Sequence, residues 1–231
     1  MRVRPISPQL LVAELTERLA AIGPAGRPAA GGRRDAAGQG ATAGRLRVAV
    51  DGAPAARPDQ LAAALVDPLR ALGRPALHVR AEDFLRPASV RLERGRTNPD
   101  AYYEGWVDEA GLRREVLDPA GPGGSGRLLR SLWDVQADRA SRAGYVDLPP
   151  VGLVLVSGPF LLGGGLPFDV VVHLEMSAAA LGRRTEPDLA WTLPAFDRYA
   201  AEVVPAGFAD VVVRVDDPRH PALVESLDEA V

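Results

Sequence analysis

The chain of 231 residues contains no cysteine. Disulfides, thiolate metal sites and cysteine nucleophiles are therefore excluded, which fits a reducing compartment. Lysine is absent as well: all 27 residues counted as Lys+Arg are arginine. A GC-rich coding bias toward arginine, alanine, glycine and proline accounts for this. Whatever its origin, no lysine ammonium is present to clamp a phosphate or form a Schiff base. Histidine is scarce. His78, His173 and His220 lie far apart without metal-ligand spacing, and the first two fall in apolar runs where packing is the expected role. No Gly-x-Ser-x-Gly nucleophile elbow occurs. A charge surplus is lacking too; the formal net charge is −3, which argues against a dedicated nucleic-acid binder. No run approaches the ~20 apolar residues of a membrane span. Pro5, Pro8, Glu14, Glu17 and Arg18 break up any secretion-signal pattern, so the expected location is the cytoplasm.

Hydrophobic residues make up 47% and charged residues 25% of the chain, an ordinary globular balance for one domain with a buried core. Ser7-Pro8 reads as an N-cap with proline at the first helical position. Leu10, Leu11, Leu15, Leu19 and Ile22 then recur at helical spacing, predicting an amphipathic helix over about 8–22. A Gly/Ala/Arg-rich stretch to Gly44 reads as a flexible linker. Residues 1–44 thus form an N-terminal helix plus linker, and 45–231 the domain proper.

Within that domain, Leu46–Val50, Ala76–Val79, Gly152–Val156, Val170–Leu174 and Val211–Val215 are short apolar runs. Continuous apolar runs are what strands buried on both faces require. A helix is expected from about Pro58 to Leu72, with Gly73 just past its end. Strands alternating with helices imply an α/β fold: a parallel sheet with helices on both faces. Ligands in such sheets bind beyond the carboxyl ends of the strands, which draws attention to Asp51–Asp59, Glu82–Phe84 and Ser157–Phe160. Between the second and third of these strands lies an irregular insert, about 85–150. It holds Tyr102, Tyr103, Trp106, Trp133 and Tyr145, readable either as a binding lid or cleft wall or as a cap on the core. Gly121–Gly126 lacks a preceding strand and a following helix and is a poor phosphate-loop candidate.

Strand, glycine-containing loop and helix is the context of a phosphate-binding loop, or P-loop. Such a loop needs glycines that let backbone N–H groups wrap phosphates, a lysine for the β/γ charge and a hydroxyl for magnesium. Here the segment reads Asp51-Gly52-Ala53-Pro54-Ala55-Ala56-Arg57-Pro58-Asp59-Gln60. Only Gly52 is in place. Arg57 stands at the second glycine, Pro58 at the lysine and Asp59 at the hydroxyl position. Asp59 suits a metal but repels phosphate. Glu82 and Asp83, just past the second strand of the domain, are candidates to take a proton from a substrate hydroxyl. Ser157 occupies the end of the next strand, where phosphoryl-transfer folds usually carry an acid.

Together these segments resemble the uridine kinase family of P-loop kinases, in particular its uridine kinase-like members from high-GC bacteria. The resemblance covers about Arg45–Pro218. VAVDGAPAARPDQLA stands in place of the strand, phosphate loop and helix, and AEDFLRP matches the Asp-Asp-Phe or Asp-Ser-Phe segment. NPDAYYEGWVDEAGLRREVLDP looks like the segment containing Pro-Asp-Ala-Phe-Asp, and LVLVSGPFLL like the Asp/Glu-Gly strand. RYAAEVVPAGFADVVV looks like the closing helix and strand. The resemblance implies ATP- and magnesium-dependent phosphorylation of uridine or cytidine, with Glu82 as the base for the 5′-hydroxyl. It places Gly52, Arg57, Asp59, Arg183 and Arg184 on the phosphate side and Asp100, Tyr102 and Tyr103 on the nucleoside side. The implied partner is a small nucleoside or nucleotide, with no nucleic acid and no membrane; a homo-oligomer is left open.

The departures all fall on the phosphate and metal side: Pro58, Asp59, Ser157, and Glu186-Pro187 interrupting the arginine-bearing lid helix. Two readings compete. In one, Arg57 or the Arg183–Arg184 pair replaces the lysine and catalysis continues. In the other, the chain is a non-catalytic pseudokinase that binds a nucleoside-like ligand or a protein partner. The N-terminal helix, outside the resemblance, either packs on the domain or serves an interaction. A dinucleotide-binding loop is disfavoured because Gly-x-Gly-x-x-Gly is missing.

Overall fold

The structure is a computed structural model and describes residues 2–22 and 44–225. Seven strands form one sheet: β1 (Arg2–Pro5), β2 (Leu46–Gly52), β3 (Ala76–Arg80), β4 (Leu153–Gly158), β5 (Val170–Glu175), β6 (Val211–Arg214) and β7 (Ala222–Glu225). Their spatial order is β1-β7-β6-β5-β2-β4-β3. β6, β5, β2, β4 and β3 are mutually parallel, while β7 runs antiparallel to both β6 and β1. From the central β2 the chain crosses to one side for β3 and β4, then to the other for β5 and β6. The carboxyl end of β2 is therefore the topological switch point, where such sheets bind ligands.

The strand bounds follow the apolar runs to within two residues, because burial on both faces selects them. Val48, Val50, Leu153, Leu155, Val170 and Val172 point to one core. Ala49, Val154, Val156 and Val171 point to the other. α1 (Pro8–Ala21) and α2 (Pro58–Ala71) cover the first face. The Ser7 hydroxyl accepts from the Leu10 N–H at 3.2 Å and caps α1 as expected. Composition places the start of the domain near Arg45; in the structure, residues 2–22 belong to the same sheet and core. Leu11, Leu15 and Leu19 are buried there, each contributing roughly 1.5–3 kcal/mol. Arg74 ties down the far end of α1, donating to the carbonyls of Ala20 and Ile22 at 2.7 and 2.9 Å and to that of Val151 at 2.8 Å. The linker expected up to Gly44 lies outside the described residues except at Gly44 itself.

The insert covers the opposite face. Its short helical turns and two small ribbons, Arg127–Leu129 with Tyr145–Asp147 and Trp133–Asp134 with Arg139–Ala140, bury Leu112, Val116, Leu117 and Leu128 against the sheet. Three further helices matter for the site: α3 (Pro99–Gly105), α4 (Ala178–Arg184) and α5 (Leu193–Glu202).

Candidate functional site

Gly52 ends β2 in a space with no room for a side chain: a Cβ there would stand 3.0 Å from the Leu174 Cβ and 3.1 Å from its carbonyl oxygen. The loop then closes into a 3-10 turn over Pro54–Ala56. Its N–H groups are partly spent inside it, Ala56 bonding the Ala53 carbonyl at 2.8 Å and Arg57 that of Pro54 at 3.0 Å. Pro54 and Pro58 have no N–H to give. Arg57 holds a left-handed conformation, φ 61° and ψ 49°, and is the N-cap residue of α2. A glycine adopts that conformation freely, whereas for other residues it costs roughly 1–2 kcal/mol. The loop thus holds a left-handed turn, of the kind a glycine favours, while carrying an arginine there. No ion pair holds the exposed Arg57 side chain among the described residues.

Asp59, in the first turn of α2, reaches across to β4. The buried Ser157 hydroxyl donates to Asp59 Oδ1 at 2.5 Å and lies 2.7 Å from His78 Nε2 on β3. A hydroxyl has one proton, and here it goes to the carboxylate. His78 therefore donates its Nε2–H to Ser157, giving the direction His78 to Ser157 to Asp59. Burial pushes the His78 imidazole below its ordinary pKa, opposed by the negative charge of Asp59. Sequence treated His78 as packing and Ser157 as standing in the usual place of an acid. Their link to Asp59 joins β3, β4 and α2, neighbours that only the strand order reveals.

Glu82 and Asp83 follow β3 in a single turn. Asp83 is engaged by Arg80 through two bonds of 2.7 and 3.0 Å. Glu82 stays freer, its side chain 58% exposed and 3.4 Å from the same guanidinium. Tyr102 on α3 is half-buried, and that burial, assisted by the charge of Glu82, pushes its hydroxyl pKa up. The structure thus brings the charges of Asp59 and Asp83 to bear on His78, and that of Glu82 on Tyr102.

The other expected residues are placed elsewhere. Asp100 pairs with Arg198 at 3.0 Å, and that guanidinium also sits 4.9 Å over the Tyr103 ring, so both are held by α5. Arg184 donates to the Asp216 carbonyl at 2.7 Å and pairs with Asp217 at 3.2 Å, beyond the end of β6. Arg183 is exposed in the last turn of α4 and has no ion pair among the described residues. Of the insert's aromatics, Tyr102, Tyr103 and Trp106 enter a ring cluster with Phe160, Trp191, Phe196 and Tyr199. Trp133 and Tyr145 stand apart in the two ribbons.

Asp51 is a feature that sequence reasoning missed. It is wholly buried. Oδ1 accepts from the Leu161 N–H at 3.0 Å; Oδ2 lies 2.7 Å from His173 Nδ1 and accepts from the Tyr199 hydroxyl at 3.1 Å. Tyr199 in turn accepts from the Leu162 N–H at 3.2 Å. Burial, with the Asp51 carboxylate alongside, drives the Tyr199 hydroxyl pKa upward. The one available signal was an acid inside an otherwise apolar strand, where an unpaired charge is not tolerated.

Two cavities flank the loop. A cleft of about 930 Å³ runs along Arg57 and Gln60 and is also lined by Ile6, Leu11, Val215 and His220. A smaller cavity of about 220 Å³ lies between β5, α4 and α5.

This sheet order, with a loop and helix at the switch point, is the fold of the P-loop kinases. Solved structures similar to the chain include a provisionally named uridine kinase from Bacillus stearothermophilus, 21% identical with a TM-score of 0.64, the match covering 88% of this chain and 97% of that one. Another is a provisionally named fructose transport system kinase from a Silicibacter species, 23% identical with a TM-score of 0.61, covering 90% and 98%. No protein-family model and no curated protein matches the chain. The expected α/β kinase fold is thus present.

Kinases of this fold hold ATP and magnesium with the loop N–H groups, its lysine and its hydroxyl. The residues here do not fit that group. Pro58 offers no donor, and Asp59 sets a carboxylate, already bonded to Ser157, where the hydroxyl should be.

Proposed function

We propose that the protein is a kinase-fold protein that binds a small ligand, nucleoside-like in class, without transferring phosphate. The observation that carries this reading is the Asp59–Ser157 bond of 2.5 Å. It joins the two positions that would otherwise organise magnesium and turns them toward each other. A carboxylate at the head of α2 also repels the β- and γ-phosphates that a lysine would attract. The cleft of about 930 Å³, with an apolar wall and the Arg57 guanidinium at its edge, offers the volume for such a ligand.

The test is a thermal-shift titration with ATP, magnesium and both together. The expected result is no magnesium-dependent stabilisation of the natural chain, and its appearance in the triple variant Arg57→Gly, Pro58→Lys, Asp59→Thr. A shift that requires both ATP and magnesium in the natural chain overturns the reading.

ATP-dependent phosphorylation of uridine or cytidine is the second reading. Glu82 favours it, since its carboxylate is open to solvent beyond the end of β3, where a base for the 5′-hydroxyl belongs. Incubation with ATP, magnesium and either nucleoside decides it. Under this reading monophosphate forms above the level of a Glu82→Gln control.

A further inference from the structure

The buried pair Asp51–His173 has no part in the phosphate-side chemistry, yet it has the form of an oriented acceptor. Asp51 is fixed from three directions, by the Leu161 N–H, the Tyr199 hydroxyl and the His173 ring. A carboxylate so placed accepts the Nδ1–H of the neutral imidazole and sets its tautomer, which leaves Nε2 with a lone pair. His173 is 8% exposed and lines the cavity of about 220 Å³. Its Nε2 has no hydrogen-bond partner among the described residues.

The rest of the cavity is mostly apolar and partly aromatic, with Glu175 and Asp197 also on its lining. Phe160 and Phe196 stack at 4.8 Å and both line it, as do Leu181 and Val204. Phe160 is held at φ 60°, a left-handed conformation that a bulky residue adopts only under constraint. Contacts with Tyr102, Tyr103, Phe196 and Tyr199 supply that constraint. A strained backbone that presents a ring to a cavity is a recognised mark of a ligand clamp. Tyr199 also lines this space, but its hydroxyl proton is committed to Asp51. The cavity thus combines aromatic walls with an acceptor on a fixed, deeply placed imidazole, while Glu175 on the lining is paired with Arg214 and Asp197 is exposed.

We propose that this cavity is a binding site for a small aromatic molecule bearing one hydroxyl, a phenol in chemical class, whose O–H donates to His173 Nε2. The ring lies against Phe160 and Phe196. Several water volumes fit in 220 Å³, so a single aromatic ring is the scale of ligand the space admits. Gly52 and Ala53 of the loop line the site, whereas Asp59 and Ser157 do not.

Phenol and its methyl ether, anisole, separate the two halves of this claim, because they share the ring and differ in the donor. Binding of each to the full chain is followed by calorimetry and by the imidazole 15N signals, with His173 assigned from the His173→Phe spectrum. Phenol is expected to bind saturably, at least ten-fold more tightly than anisole, and to move the His173 Nε2 signal. In His173→Phe the ten-fold preference disappears. Equal affinities for the two probes, an unmoved Nε2 signal or no saturable phenol binding each overturn the proposal. If His173→Phe does not fold, assignment passes to His173→Gln, and the affinity ratio and the 15N shift in the natural chain decide alone.

Discussion

Replacing Asp51 by asparagine changes almost no volume and removes one charge at the centre of the fold. The carboxylate is fully buried and accepts three hydrogen bonds, one on Oδ1 and two on Oδ2. Asparagine keeps one acceptor oxygen. If that oxygen faces Leu161, the amide NH2 meets two donors, His173 Nδ1–H and the Tyr199 hydroxyl. Hydrogen bonds to a charged group contribute about 1.5–3 kcal/mol each, so losing two sets a ceiling of roughly 3–6 kcal/mol. The imidazole recovers part of this by moving its proton to Nε2 and accepting from the amide at Nδ1. The expected cost is therefore about 2–4 kcal/mol, a fall in Tm of roughly 4–16 °C for a domain of this size. Urea unfolding gives the first number, and the 15N shifts of His173 report the moved proton. Burying a carboxylate is itself expensive, and removing one is neutral or stabilising where its partners are easily satisfied. A loss below about 1 kcal/mol, or an unchanged tautomer, would refute the view that Asp51 orients His173.

Two further outcomes follow from the chain His78–Ser157–Asp59. Ser157→Ala deletes the hydroxyl that links them, leaving His78 Nε2–H and Asp59 without their shared partner. A loss of about 1–3 kcal/mol in chemical denaturation is expected, and a change within 0.5 kcal/mol, roughly the scatter of a neutral surface substitution, counts against the linkage. The lowered pKa of His78 also sets a pH dependence. Below the unfolded value, near 6.5, the unfolded chain takes up a proton that the folded chain refuses. Stability therefore falls as pH drops from about 6.5 to the lower folded pKa, by at most about 1.4 kcal/mol per pH unit, and this group causes no further loss below that. Denaturation curves between pH 7.5 and 5 should show this slope reduced in His78→Gln; an identical slope in both proteins removes His78 as its source.

The sheet was legible because its strands are buried on both faces, and double burial leaves continuous apolar runs such as Val170–Leu174 with few alternatives. α1 and α2 were legible for the opposite reason: one buried stripe and a proline at the first helical position. β1 and β7 escaped notice. Arg2–Pro5 is four residues of alternating charge with little apolar pattern, and its strand exists only because Ala222–Glu225 lies beside it. The site was half legible. Motif spacing located the loop and Glu82, but it gave no means of pairing Asp59 with Ser157 or Asp51 with His173, separated by 98 and 122 residues. Such pairs depend on which strands are neighbours, information that lies in strand order and not in any local pattern.

That the loop keeps its turn without its ligand-binding residues has a physical reason. In a working phosphate loop the left-handed residue and the free N–H groups are arranged around an anion. Here the turn at Arg57 persists with no glycine, and the 3-10 bonds within Ala53–Arg57 consume donors that would otherwise face a phosphate. The geometry is held from behind. Gly52 fits against Leu174 with no space to spare, and Asp51, one residue earlier, anchors the end of β2 to β5, to α5 and to the segment after β4. The backbone of the switch point is thus determined by the sheet and by a buried carboxylate, independently of any bound phosphate. The left-handed Arg57, which costs roughly 1–2 kcal/mol relative to glycine, is therefore held by the frame around it.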